Sequence, residues 1–325
     1  MLEALLYLKC PMCGGPLEVG SCEQKHANKL WNGTVVCQRC KGSHVVREGV
    51  LDLEVQAAGH EASTINAFGK EWTHYWNHGA FFQSQALFNR FLPTISLTKL
   101  SNKRIVEIGC GGGRWLKLIG QNAQPRALFG LEPSEAAYVA AHRTRDLPNV
   151  YIVRGSVYDM AFQSEMDLVF SIGVITFLKD MKLACVEAAK LLKPGGEFAY
   201  WVYAYEGNEF YLKVFPTIQA LAQKLPDGPL RWLAKTLSGM LLLYARTINR
   251  ALARLGIYLP MGRYLEMYRQ LTWWDAESVI YDQLIPNITR YLRREEALGI
   301  IPPSMSLKEL HNPSGNSWSV LAVKS

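Results

Sequence analysis

No apolar run in these 325 residues is long enough to cross a bilayer. The densest, Gly239–Ala245 (GMLLLYA), falls far short of the ~20 residues a span needs. The opening MLEALLYLKCPMC has no basic stretch ahead of its apolar residues and does not read as a secretory signal. Charged residues are sparse, 19% against 49% hydrophobic, which excludes extended disorder and supplies a sizeable core. No internal repeat or low-complexity tract is visible. The cysteines (10, 13, 22, 37, 40, 110 and 185) are odd in number, and four fall in two C-x-x-C pairs, a poor disulfide framework. These absences predict a soluble, cytoplasmic protein of a reducing compartment with no transmembrane segment.

Five segments are expected. Residues 1–55 are short, turn-rich and carry the cysteine pairs; 56–100 comprise a small, polar linker and then an aromatic helical stretch over 71–92, stopped by Pro93. From 101 to 205 strand-like RIVEI, ALFGLE, VYIVRG, MDLVFSIG and EFAYWVYA alternate with helix-like WLKLIG, SEAAYVAAHR and LACVEAAKLL. Such alternation builds a parallel sheet with helices on both faces. Residues 206–265 break it with an amphipathic helix opening near Pro229 and closing near Gly256. In 266–325, SMSLKEL and SWSVLAVK read as two last strands of the same sheet.

The chemistry starts at IVEIGCGGGR, residues 105–114. A dinucleotide loop G-x-G-x-x-G would need glycine or alanine at 114, where Arg114 stands. The spacing E-x-G-x-G-x-G is complete, with Glu107, Gly109, Gly111 and Gly113, and Cys110 between the first two glycines. Glu132 follows nineteen residues after Gly113, at the end of the next strand, where a carboxylate can accept hydrogen bonds from ribose hydroxyls. Leu191-Leu192-Lys193-Pro194-Gly195-Gly196 then precedes the strand EFAYW.

This stretch resembles the class I S-adenosylmethionine-dependent methyltransferases, strongly over 100–203 and more weakly over 266–325. The resemblance implies an α/β, Rossmann-like sheet of seven strands. It assigns the cofactor to Glu107, Gly109, Cys110, Gly111, Gly113, Glu132, Pro133, Ser156, Val157, Ser171 and Ile172. It also places Asp167 at the start of the fourth strand. One departure is Ser156 where the family commonly has an aspartate for adenine; Asp159 is the substitute nearby.

Cys10-Pro-Met-Cys13 and Cys37-Gln-Arg-Cys40 each put two thiolates on one side of a tight turn, and together close a tetrahedral zinc site. Cys22, His26 and His44 are expected to lie off a site that is already full. The segment resembles the small zinc-ribbon protein that activates eukaryotic tRNA, rRNA and release-factor methyltransferases. A ribbon fused to a methyltransferase also occurs in bacterial rRNA guanine methyltransferases, which raises RNA as a substrate. Charge argues against a nucleic-acid grip: residues 1–55 hold six Lys/Arg and six Asp/Glu, whereas an RNA-binding ribbon should be basic. A structural role, or docking of a protein partner, is favoured.

Residues 206–265 carry eight basic and three acidic side chains, most of the chain's +7. Basic charge beside an apolar stripe suits a lid over an amphiphilic acceptor or peripheral contact with anionic lipid. A plain amphipathic cap with solvated arginines is the competing account. Acid–base candidates near the expected cleft are His74, Tyr75, Tyr203, Tyr205 and Glu206. SIGV stands where [ND]-P-P-[FYW] would mark amino-nitrogen methylation, no Pro-Cys follows it, and no C-x3-C-x2-C cluster suggests radical chemistry. The sequence thus predicts a zinc-ribbon-fused, S-adenosylmethionine-dependent methyltransferase acting at O or C of a small or lipid-like acceptor. An RNA methyltransferase and a non-catalytic cofactor-binding partner subunit are the alternatives.

Overall fold

A computed structural model describes residues 2–53, 59–158, 161–258, 261–286 and 289–325, without the side chains of 2, 3, 59–61, 263 and 314. Asp159 lies outside the described residues. The chain opens with a helical turn α1 (Leu2–Leu5) and an antiparallel meander: β1 (Leu17–His26), β2 (Lys29–Cys37), β3 (Ser43–Arg47) and β4 (Val50–Asp52). Helices α2 (Gly59–His74) and α3 (Gln85–Phe91) follow. The expected helix over 71–92 is therefore two, interrupted at 75–84, and α2 reaches back into the expected linker.

The alternating region contains β5 (Arg104–Ile108), α4 (Arg114–Asn122), β6 (Ala127–Leu131), α5 (Ala136–Arg143) and β7 (Val150–Arg154). Then come β8 (Met166–Ile172), α6 (Met181–Lys190) and β9 (Leu192–Tyr203). Strands β5 and β6 are buried almost without alternation, as strands covered on both faces are. The insertion holds α7 (Glu209–Ala222), α8 (Asp227–Tyr244), a π-helical turn at Ala245–Asn249, and α9 (Arg250–Arg254). After α10 (Gly262–Tyr268), α11 (Trp273–Leu284) and α12 (Arg294–Gly299), the chain closes with β10 (Met305–His311) and β11 (Ser317–Lys324). Thr272 and Asp275 form a capping box that starts α11.

The sheet has eleven strands rather than the expected seven, in the order β1-β2-β3-β4-β7-β6-β5-β8-β9-β11-β10. The seven from β7 to β10 form its α/β part. The other four join because β4 pairs in parallel with β7, Val50 opposite Ile152 and Asp52 opposite Arg154. An uncovered β7 edge would leave a row of backbone donors and acceptors unpaired, and the meander satisfies them. The cores merge as well: Leu8, Cys10 and Cys37 share one buried cluster with Phe129 and Phe162. Lys29 seals the junction, donating to the carbonyls of Thr144 (3.0 Å) and Val150 (3.2 Å), and burial brings its ammonium down to about 8.

Candidate functional site: a cofactor cleft with an apolar chamber

From β5 the connections run one way to β6 and β7 and the other way to β8 and β9. A crevice must open at this reversal, beyond the strands' carboxyl ends. A cavity of about 1160 Å³ lies there. Gly109 and Gly111, then Glu132 and Pro133, then Ser156 and Val157, then Ile172 line it, each group following a different parallel strand.

The glycine loop is shaped by close approaches. Gly111 has φ +49°, and a Cβ there would sit 2.9 Å from the Trp72 ring. Gly113 caps α4 at φ +74°, where a Cβ would meet the Ala140 backbone at 2.9 Å. Glu132 fastens the loop: its Oε2 accepts from the Gly111 N–H (2.9 Å), while Oε1 accepts from the Ser134 N–H (3.1 Å) and hydroxyl (2.6 Å). Burial pushes its carboxyl up against those three bonds.

Four predicted cofactor residues are not on the cavity wall. Glu107 is buried in β5 behind the loop, and burial raises its carboxyl well above the usual range. Cys110 packs inward, its thiol 3.8 Å from the Gly111 carbonyl. Gly113 serves the helix start, and Ser171 donates to the Ile108 carbonyl (3.1 Å), tying β8 to β5. Asp167 acts at the opposite end of the sheet, bound by Arg104 and Lys193.

Of the five acid–base candidates, only Tyr203 reaches the cavity. His74 packs edge-on against Tyr75 and at a tilt against Trp274, and the buried Tyr75 hydroxyl donates to Glu277 (3.0 Å). Arg293 covers the Tyr205 ring at 4.1 Å, and Glu206 accepts from the Arg294 N–H. Tyr203 belongs to a polar cluster missed in the sequence. Its hydroxyl accepts from Gln283 Nε2 (3.0 Å), and Gln283 Oε1 accepts from Tyr211 (3.2 Å) and Tyr291 (3.3 Å).

Glu71, Trp72, Arg114 and Asp282 also line the cavity and were missed. Helix α2 presents Thr64, Ile65, Phe68, Glu71 and Trp72 to it, a stripe at spacings of one, three and four that was legible as a helical face. The Arg114 guanidinium lies against Phe82 (4.2 Å) and Trp115 (4.3 Å), and burial lowers it to about 10. Burial raises Asp282 to about 6, opposed by Gln283 and Arg114, and raises Glu71 well above the carboxylate range. Among the described residues, Glu71 Oε2, Glu107 Oε2 and Arg114 Nη1 have no hydrogen-bond partner. Buried polar groups need partners. Of these, Glu71 and Arg114 line the cavity, and one carboxyl oxygen with one guanidinium N–H matches the zwitterionic tail of an amino-acid-bearing cofactor such as S-adenosylmethionine. Away from the loop the wall turns apolar, with Phe215, Leu237, Met240 and Leu241.

The second site lies in the meander. The sulfurs of Cys10, Cys13, Cys37 and Cys40 all lie within 4.8 Å of one another, with Cys10–Cys40 at 3.7 Å and Cys13–Cys37 at 3.5 Å. Four thiolates about 2.3 Å from a tetrahedral zinc would stand about 3.8 Å apart, so the donor set fits that ion. Backbone N–H groups of Cys40 and Arg39 bring the Cys37 thiol down to about 6, favouring the ligating thiolate. Cys22 is exposed and His26 bonds Asp146, both away from the cluster. His44 is buried with Nε2 3.8 Å from Cys10 Sγ, suited to supporting a ligand.

No helix among the described residues is long and apolar enough to cross a membrane. Residues 106–200 match a sequence family described as a methyltransferase domain. A stretch of 118 residues is 28% identical to the phthiotriol/phenolphthiotriol dimycocerosates methyltransferase of Mycobacterium leprae, covering 36% of this chain and 44% of that one. Another of 183 residues is 26% identical to the tRNA U34 carboxymethyltransferase of Vibrio cholerae, covering 49% and 55%. The chain therefore spans about half the length of the curated relatives it matches. A solved chain from the complex that contains the Haloferax volcanii Trm112 methyltransferase activator aligns with TM-score 0.46 and 14% identity, over 82% of this chain and 99% of that one. Residues 106–200 thus carry the sequence pattern of a methyltransferase domain.

Proposed function

We propose that this chain is an S-adenosylmethionine-dependent methyltransferase acting at O or C of a small or lipid-like acceptor. The observation that carries the reading is one cavity with two ends. A glycine loop, Glu132 and unpartnered charges lie at one end, and an apolar chamber of a size to take a long acceptor at the other. Bound there, S-adenosylmethionine supplies the methyl group as an electrophilic carbon on a sulfonium. Methyl transfer depends on alignment and on exclusion of water. Glu132 offers its remaining acceptor capacity to ribose hydroxyls, while Ser156 and Val157 flank the adenine position. Glu71 and Arg114 hold the amino-acid tail. Tyr203, with Gln283, orients the acceptor's polar group, and Asp282 accepts the proton that a hydroxyl acceptor loses. Relatives named for methylating phthiotriol dimycocerosates support the lipid-like acceptor.

A zinc ion held by Cys10, Cys13, Cys37 and Cys40 fixes the meander against β7, so the ribbon serves structure first, with docking of a protein partner as a further role. The tRNA-modifying relatives favour RNA as a second reading of the acceptor. Calorimetric titration with S-adenosylmethionine, its demethylated product and NAD tests the assignment. Micromolar binding of the methyl donor is expected, weakened about thirtyfold or more in Glu132→Ala, since hydrogen bonds to a charged group contribute about 2–3 kcal/mol. Binding of NAD alone would overturn the cofactor, and binding of none would favour a non-catalytic partner subunit. RNA binding that falls steeply with salt would move the acceptor to RNA.

A further inference from the structure

We propose that the outer faces of α7, α8 and α9 form a docking surface for an anionic lipid bilayer, onto which the apolar chamber opens. Both helices α7 and α8 contribute inward residues (Phe215, Ile218, Leu230, Ala234) to one small core with Tyr281 and Leu284 of α11. The faces of these helices turned to solvent should then be polar. They are not: among the described residues, thirteen of the nineteen exposed large apolar side chains lie between Phe210 and Trp274. On α7 the outward row includes Phe210, Val214 and Leu221; on α8 and the turns after it, Trp232, Met240, Leu243 and Leu255.

Exposed cations flank these rows: Lys213 and Lys224 beside the first, Lys235, Arg250 and Arg254 along the second. Of the acids nearby, Asp227 is already held by Arg231 (2.8 Å) and Tyr281 (2.7 Å). Apolar rows bordered by unneutralised cations complement the headgroups and acyl boundary of an anionic membrane; they do not complement a neutral protein face. The chamber reaches the same surface. Phe210 is 61% and Met240 58% exposed, yet both line the cavity, so it opens to this surface beside these two side chains. An amphiphilic acceptor can pass from the bilayer into the chamber without crossing water, a consequence that rests on the methyltransferase reading above.

The test is co-sedimentation of the full chain with phosphatidylcholine vesicles, with and without phosphatidylglycerol. Arg250→Ala/Arg254→Ala and Trp232→Asp/Leu243→Asp are the variants, and S-adenosylmethionine titration of each reports on folding and on the cofactor site. Expected are salt-sensitive binding to the anionic vesicles alone, a roughly thirtyfold loss in the double arginine variant, and no binding in the aspartate variant, all with unchanged cofactor affinity. Absence of wild-type binding overturns the proposal, as does binding that neither variant weakens. A stable dimer that Trp232→Asp/Leu243→Asp splits also overturns it, because a second copy would then cover the face. Vesicle binding without cofactor binding sinks the methyltransferase reading and leaves the docking surface standing.

Discussion

Asp282 sits between Tyr281 and Gln283 near the end of α11, and its carboxyl is raised to about 6 by burial. A group with that value is ionised at neutral pH and can take a proton from an acceptor hydroxyl. Replacement by asparagine is expected to lower kcat by about a hundredfold or more and to remove the rise in rate through pH 6, with S-adenosylmethionine affinity unchanged. Steady-state rates across pH, beside calorimetry, check this; an unchanged profile would assign Asp282 to packing. Glu132 could be found from spacing because its strand and loop are contiguous with the glycines. Asp282 could not, since it lies 150 residues further on and enters the cavity only through the packing of α11.

Helices α2 and α11 wall the cavity together, and a buried pair ties α11 to the loop that follows α2. Asp275 at the start of α11 accepts from the Gly79 N–H (3.0 Å) and pairs with His78 Nδ1 (3.1 Å). Burial lowers His78, so it is neutral at pH 7 and the contact is a hydrogen bond to a carboxylate. Burial alone would raise Asp275, yet bonds from His78, Thr272 and Gly79 hold it below the usual range. Both folded values are depressed, so the unfolded chain takes up protons first as pH falls. Stability present at pH 7 is then lost below about 6.5 for His78 and below about 3.9 for Asp275. The melting-temperature advantage of the wild type over His78→Gln should therefore shrink from pH 7.5 to 5, whatever the raised carboxyls of Glu71, Glu107 and Asp282 add to both. An advantage that stays constant would assign no pH-dependent stability to His78.

The whole molecule is tied together by one sheet and a merged core, which makes the cysteine cluster a support for the methyltransferase domain as well as for its own turns. Stripping the metal with a chelator, or Cys37→Ser, is expected to lower the melting temperature by roughly 10 °C or more, given the large binding free energy of four-thiolate zinc. Scanning calorimetry should show a single transition throughout. Two separated transitions would mean that the meander unfolds alone and that β4–β7 pairing contributes little.

What the sequence determined was local: the glycine loop, the acid Glu132 at the end of the next strand, the cysteine pairs, and an alternation that makes a parallel sheet. Each rests on residues close in the chain, where spacing alone fixes geometry. Three things were decided only by tertiary structure. The sheet grew to eleven strands because a free β7 edge and a short apolar β4 could satisfy each other. The polar wall came from Glu71, Arg114 and the neighbours Asp282 and Gln283, three stretches that the chain order keeps far apart. Tyr203 was separated from His74, Tyr75, Tyr205 and Glu206 by the turn of its strand and the rotation of its neighbours, quantities set by packing and not by periodicity.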